Sequence, residues 1–331
     1  MALGIENVRV GVVTDVDNAT GCTVILAPAG SVGGFAVRGG APGTREAAVL
    51  SAGSPSSSIH AVALCGSSLF GLSAAGGVAD WCAANDIGLS LPGGRFPIVG
   101  AAVVMDVHSP EERRIGPQDG WDACEAATNE APAEGSVGVG TGCTVGKEGG
   151  RDWGSKGGQG WAICSEGDIT VGALMAVNAF GSIYRDSELL AGCRAPVEFP
   201  RYPAASPSEM FDANGDPVGE AEWGAMSDGP TTNTVIGVVV TNAKLSKAEA
   251  CRVADLAHGG ITRTVSPAHT NMDGDAMFAI STGTAEASAD LIADMAATAV
   301  ANAIHSAVIS ATEIAARSAW PVDRRGLQPG P

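Results

Sequence analysis

The chain has 331 residues, of which 45% are hydrophobic and only 5% aromatic, with 46 glycines and a formal net charge of −17. So acidic a protein is a poor partner for nucleic acid, whose binding depends on Lys and Arg displacing condensed counterions, and its apolar content excludes a disordered chain. Length does not force two domains, since single sandwiches and barrels extend past ~200 residues, so one core packed mainly from small side chains is expected.

The N-terminal part alternates short apolar runs with turn residues: "VRVGVVTD" at 8–15 and "CTVILAP" at 22–28 read as strands, followed by a Gly-rich stretch at 30–44. In "SLFGLSAAGGVADWCAAN", residues 68–85, Leu69, Leu72, Val78 and Cys82 fall on one helical face, and the glycines suggest close packing on a sheet. "FPIVGAAVVMDV" at 96–107 reads as a strand, and a second helix is expected near 120–128. The Gly-rich run at 135–164 contains neither GxxxxGK[ST] nor a GxGxxG opening a helix, so no nucleotide site is expected there. "DITVGALMAVNAFG" at 168–181 is again strand-like.

Residues 199–233 are rich in Pro, Ser, Asp and Gly and lack any sustained period, which marks a linker; a long structureless segment is uncommon in a compact domain, and function or processing is one explanation. A strand–helix–strand–helix unit follows. "TVIGVVVTNA" is a buried strand; a helix opens on Ser246 and Glu249, spaced as a capping box, and closes at Gly259; "DAMFAIST" is a strand. The last helix, about 285–313, buries a face carrying Leu291, Ile292, Met295, Ala299, Ile304 and Val308, and the tail from Trp320 reads as a surface extension. No internal sequence repeat is evident.

Eight cysteines, at 22, 65, 82, 124, 143, 164, 193 and 251, stand singly without a CxxC pair, several inside apolar runs, and read as buried free thiols. The N-terminus lacks the charged and apolar regions of a signal peptide, and no run of about 18 uninterrupted apolar residues offers a membrane span. A cytoplasmic protein without a membrane partner is therefore expected.

The junction in "GPTTNTVIGVVVTN" at 229–242 bears on chemistry. It could be an ordinary strand entry, Gly-Pro turning the chain and Thr, Val and Ile extending it. It could also place the hydroxyl of Thr234 to attack the carbonyl of Asn233. Cleavage there would free an α-amine beside the hydroxyl, with a reference pKa of about 7.7–8.0, so the nucleophile would carry its own base.

Five segments, "GTGCTVGK" at 140–147, "KGGQG" at 156–160, "AVNAFG" at 176–181, "NTVIGVVVTNAKLS" at 233–246 and "HTNMDGDAMFAIST" at 269–282, carry a resemblance over nearly the whole chain. In their order and spacing the chain resembles the self-processing N-terminal-nucleophile hydrolases: L-aminopeptidase/D-esterase, β-peptidyl aminopeptidases and the nylon-oligomer (6-aminohexanoate-oligomer) endohydrolase. The resemblance implies an α/β fold, a four-layer αββα sandwich. It also implies self-cleavage between Asn233 and Thr234 into an α chain of 1–233 and a β chain of 234–331. Thr234 becomes the nucleophile, and Lys147, Asn178, Asp273 and Asp275 match the lysine, asparagine and two carboxylates of the nylon-hydrolase branch. Threonine where many of the aminopeptidases use serine inclines the reading toward that branch. The implied substrate is a small amide or peptide, with no metal or organic cofactor, and the implied assembly is a homo-oligomer of αβ units, often a tetramer.

In this reading Lys147 is a fixed positive charge favouring a neutral amine, and Asn178 donates to a developing oxyanion. Asp273 and Asp275, alternating around Gly274, face one way, anchor Lys147 and orient the Thr234 amine. Taken singly, Asp-Gly-Asp is more often a turn, Asn178 a backbone partner at a strand end, and Lys147 and Lys156 surface lysines, with Lys156 kept outside the core site. Met105 stands where the best-known members carry a tyrosine, so oxyanion stabilisation would rest on Asn178 and backbone groups. Three alternatives stay open: an aminopeptidase or D-esterase requiring a free substrate amine, an acyltransferase like ornithine acetyltransferase, and a non-enzymatic assembly protein that never processes.

Overall fold

The computed structural model describes residues 1–107, 109–196, 233–319 and 321–323. Most of the segment read as a linker, and most of the tail beyond Trp320, lie outside these. Among the described residues, two five-stranded sheets dominate. The first has the order β1-β2-β5-β6-β4, from Arg9–Asp15 (β1), Thr20–Leu26 (β2), Thr44–Arg45 (β4), Ala61–Cys65 (β5) and Val99–Val103 (β6). The second has the order β7-β8-β9-β10-β3, from Val32–Val37 (β3), Gly158–Glu166 (β7), Ile169–Asn178 (β8), Thr234–Ala243 (β9) and Ala276–Ala285 (β10).

Both sheets follow one plan. An antiparallel hairpin leads to a parallel pair (β5 with β6, β9 with β10), and an antiparallel edge strand closes each sheet. A structural duplication thus exists where the sequence shows no repeat. The helix Ala74–Ala84 (α1) and the helix Lys247–Thr264 (α3) are the two crossovers; Pro117–Glu125 (α2) and Ala289–Ile309 (α4) follow the second strand of each parallel pair.

Three apolar layers show the αββα arrangement. Between the sheets lie Ile25 and Leu64 from the first and Leu174, Ile236, Val238 and Phe278 from the second. Val24, Ala63 and Cys65 pack outward on Val78, Trp81 and Cys124 of α1 and α2. Met175, Val235 and Val239 pack outward on Ala257, Ile261, Met295 and Val300 of α3 and α4. A strand covered on both faces has no solvent side to alternate toward, which explains the unbroken apolar run at 235–240. The helix α4 is long and apolar enough to cross a membrane, but here its apolar face is buried against the second sheet and α3.

Several boundaries differ from expectation. The segment 68–85 is α-helical only from Ala74; Ser68–Ser73 is a 3-10 turn that leaves Leu69 65% exposed rather than on the buried face. The Ser246–Glu249 capping box is present, but α3 runs through Gly259 and Gly260 to Thr264. Tertiary packing decides this: a Cβ on Gly260 would lie 2.3 Å from the Ala297 carbonyl oxygen, so the glycine lets α3 and α4 touch instead of ending the helix. The last helix spans 289–309, and the Gly-rich run ends inside a nine-residue strand, β7. All eight thiols are free; five are buried and Cys164, Cys193 and Cys251 are half-buried.

Candidate active site

Thr234 is the first residue of β9 and pairs in register with Asn178, the last residue of β8. The preceding residue, Asn233, bridges to Asp273 just ahead of β10. The parallel pair β9–β10 and the antiparallel pair β8–β9 thus bring three distant segments to one end of the second sheet. Thr234, Asn178, Lys147, Asp273 and Asp275 are all buried there, with exposures of 5% or less.

The Thr234 hydroxyl donates to the carbonyl oxygen of Asn233 in an unusually close contact. That oxygen also accepts the Gly274 N–H at 2.9 Å. An N–H aimed at a carbonyl oxygen is the arrangement that stabilises negative charge building on it when the carbon is attacked.

Asp275 divides its two oxygens. Oδ1 accepts the Val235 N–H at 2.6 Å, directly after the candidate nucleophile, and Oδ2 accepts from the His269 backbone N–H at 3.1 Å and lies 2.7 Å from His269 Nδ1. Asp273 accepts the Phe180 N–H at 3.3 Å with Oδ1, and the Thr270 N–H and hydroxyl at 2.9 and 2.6 Å with Oδ2. Burial and the neighbouring Asp275 push the Asp273 carboxyl up to about 6. Asp-Gly-Asp is both a loop and part of the site: it precedes the first residue of β10, and its carboxylates are held by main-chain N–H groups.

Lys147 donates from Nζ to the Asn178 carbonyl at 3.1 Å and to Asn178 Oδ1 at 3.2 Å. Burial pulls it down to about 7, against smaller upward pulls from Cys143 and Asp273. Burial disfavours the ammonium, against the expectation of a fixed positive charge there. Asn178 Oδ1 also accepts the Thr144 N–H at 2.9 Å, and Nδ2 donates to the Met105 carbonyl at 3.1 Å. The amide expected to face an oxyanion thus holds a backbone carbonyl in this state.

The family model of peptidase family S58 matches residues 3–321. The chain belongs to peptidase family S58. An uncharacterized aminopeptidase of Mycobacterium leprae (strain TN) is 38% identical over 280 residues, 82% of this chain and 73% of that protein. A 6-aminohexanoate-oligomer endohydrolase of Paenarthrobacter ureafaciens is 31% identical over 281 residues, 83% of this chain and 73% of that protein. Among solved structures, the L-aminopeptidase D-Ala-esterase/amidase of Ochrobactrum anthropi, a variant of the Ntn hydrolase fold, aligns with a TM-score of 0.67 at 18% identity over 94% of this chain and 86% of that one. The β-aminopeptidase of a Burkholderia species gives 0.65 at 22% identity over 96% and 88%. The chain is therefore a peptidase or amidase related to the nylon-oligomer hydrolases, with the layered Ntn-hydrolase fold.

Within this S58 chain, residues distant in sequence come together as the segment resemblance implied, but two lysines behave differently from surface lysines. Lys156, like Lys147, is fully buried, and its Nζ donates to the carbonyls of Gly140, Cys143 and Gly157 at 3.2, 2.9 and 3.0 Å. It pins the Gly-rich loop that presents Thr144 to Asn178. Sequence reasoning also missed His269, whose partner Asp275 lies six residues on, and the Gly274 N–H. A histidine shortly before two acidic residues is a faint signal, and a backbone donor has no sequence signature. Met105 meets Asn178 through its main-chain carbonyl, so replacing a tyrosine side chain there leaves this contact intact.

Proposed function

We propose that the chain is a self-processing amide hydrolase whose nucleophile is Thr234. The observation that carries this reading is the contact of the Thr234 hydroxyl with the Asn233 carbonyl, whose oxygen the Gly274 N–H also holds. In the intact chain, Oγ1 attacks the Asn233 carbonyl carbon and gives its proton to a base. Lys147, with its proton affinity lowered to about 7, has the properties such a base needs. Charge develops on the Asn233 oxygen against the Gly274 N–H. The C–N bond then breaks, the Thr234 nitrogen takes up a proton, and an ester remains between Asn233 and Oγ1. Water hydrolyses it to a carboxylate on Asn233 and a free amine on Thr234, giving an α chain of 1–233 and a β chain of 234–331.

In turnover the new α-amine accepts the Oγ1 proton, the hydroxyl attacks a substrate amide, and the substrate's amine departs with a proton. Water then releases the acid from the acyl-enzyme. Asp275 fixes the strand behind the nucleophile, Asp273 biases Lys147, Asn178 holds Lys147 through its carbonyl and Oδ1, and the Gly274 N–H faces the developing charge.

The substrate class we infer is short oligoamides or peptides, in keeping with the aminopeptidase and oligomer-endohydrolase relatives, and the assembly is a tetramer of αβ units. The aminopeptidase names of the mycobacterial relatives favour a second reading, exo-cleavage requiring a free substrate amine. Family membership gives the acyltransferase alternative no support. Intact-mass measurement tests the main reading: two fragments meeting at Asn233/Thr234 are expected, and Thr234→Ala should stay a single chain. An uncut but active wild-type chain would refute it. Comparing an N-capped with an uncapped amide separates endo from exo action.

A further inference from the structure

The His269 side chain is hydrogen-bonded to Asp275. Its Nδ1 lies 2.7 Å from Oδ2, and its own main-chain N–H donates to the same oxygen at 3.1 Å. A carboxylate only accepts, so Nδ1 carries the proton. The opposite ring nitrogen, Nε2, is buried with no hydrogen-bond partner. Beside it lies the His258 ring, edge-on at 4.9 Å between centroids, which burial holds down at about 4 and therefore uncharged. The backbone at His269 is left-handed, with φ of 56°, a conformation that side chains other than glycine adopt at a cost. Here it turns both the ring and the main-chain N–H of one residue onto one oxygen. The other oxygen of that carboxylate takes the Val235 N–H at 2.6 Å, one residue beyond Thr234.

We propose that His269 is a positioning residue for self-cleavage: it holds Asp275 in the orientation that grips Val235, and so fixes the direction from which the Thr234 hydroxyl meets the Asn233 carbonyl. This role rests on the Thr234 reading. It touches no reacting atom, and its effect passes through two hydrogen bonds in series, His269 to Asp275 and Asp275 to the start of β9. A ring lost from this place leaves the carboxylate with its main-chain partners alone and free to turn.

The test follows conversion of the full-length chain into two fragments after cell-free synthesis, by denaturing electrophoresis, which needs no substrate. His269→Gln and His269→Ala should cut about 10–100-fold more slowly, the effect of losing one hydrogen bond to a charged group at a step that depends on it. His269→Asn, whose amide nitrogen can stand where Nδ1 stands and which tolerates left-handed backbone, should cut within about threefold of wild type. In the uncut Thr234→Ala background all three should melt within about 2 °C of their parent, because the network is small beside the whole fold. The proposal is overturned if His269→Gln cuts at the wild-type rate, if His269→Asn is as slow as His269→Ala, or if slower cutting tracks a matching fall in melting temperature. A wild-type chain that never cuts would instead remove the Thr234 reading and this role with it, a result distinct from equal cutting by all variants.

Discussion

Gly274→Ala isolates the geometry of the proposed self-attack. An added Cβ would lie 2.8 Å from Thr234 Oγ1 and 2.9 Å from the Ala41 carbonyl oxygen, where ordinary contact begins near 3.4 Å. The Ala41 side cannot yield easily, because the Ala41 N–H is bonded to the Asp273 carbonyl at 2.9 Å. Relief must come from the Thr234 side, by about 0.6 Å. Gly274 is not among the positive-φ residues, so alanine adds crowding without backbone strain. Such overpacking costs about 1–3 kcal/mol, partly offset by about 0.4–1 kcal/mol from restricting the unfolded chain. A reacting atom misplaced by an ångström costs about 10²-fold, so self-cleavage should slow by about 10–100-fold while the chain stays folded. Intact-mass time courses measure the first effect and urea unfolding of the Thr234→Ala form, with and without Gly274→Ala, the second. Cutting at the wild-type rate with unchanged stability would refute the placement of the hydroxyl against the Gly274 loop.

Asp275→Asn keeps the shape of the carboxylate but turns an amide toward one of its two sets of N–H donors, so cutting should slow by about 10–100-fold in the same time course. Lys147 accepts a proton only when neutral, so the cutting rate should rise with pH through about 7, and Lys147→Met should lack that limb in a rate–pH profile. Asp273 acts in the opposite sense on stability: raised from 3.8 to about 6, it contributes fully below the unfolded value and loses that contribution as pH rises through about 6. Urea midpoints of the Thr234→Ala chain should therefore carry a component falling over that window, and Asp273→Asn should remove it. Lys156→Met, which deletes three hydrogen bonds from a charged group to loop carbonyls, should destabilise the chain by roughly 2–4 kcal/mol in urea unfolding.

The second half of the fold was legible because its signals were local. The apolar run from Val235, the Ser246 cap and the long apolar α4 each announce their element within a short window. The first helix misread its start because Leu69 matches the helical period yet sits in a 3-10 turn, and periodicity alone cannot distinguish an exposed leucine from a buried one. The Gly259–Gly260 pair imitated a helix stop because the role of Gly260 depends on α4, almost 40 positions away. At the site, the structure brings together the five side chains that segment order and spacing named. Their surroundings were not legible, since Lys147 and Lys156 look alike in sequence, and only the fold shows one amine on Asn178 and the other on three loop carbonyls.

The placement of β3 bears on what a broken backbone would mean for this molecule. Residues 32–37 leave the N-terminal part of the chain to form the outer border of the second sheet beside β10, while β8 flanks β9 on the other side. A fragment beginning at Thr234 would therefore be clamped between two ribbons of the other fragment, with α4 lying across β7 and β8 of that same partner. Neither piece holds the second sheet complete alone, so the two should travel as one particle through dilution and gel filtration and part only when the fold itself is undone.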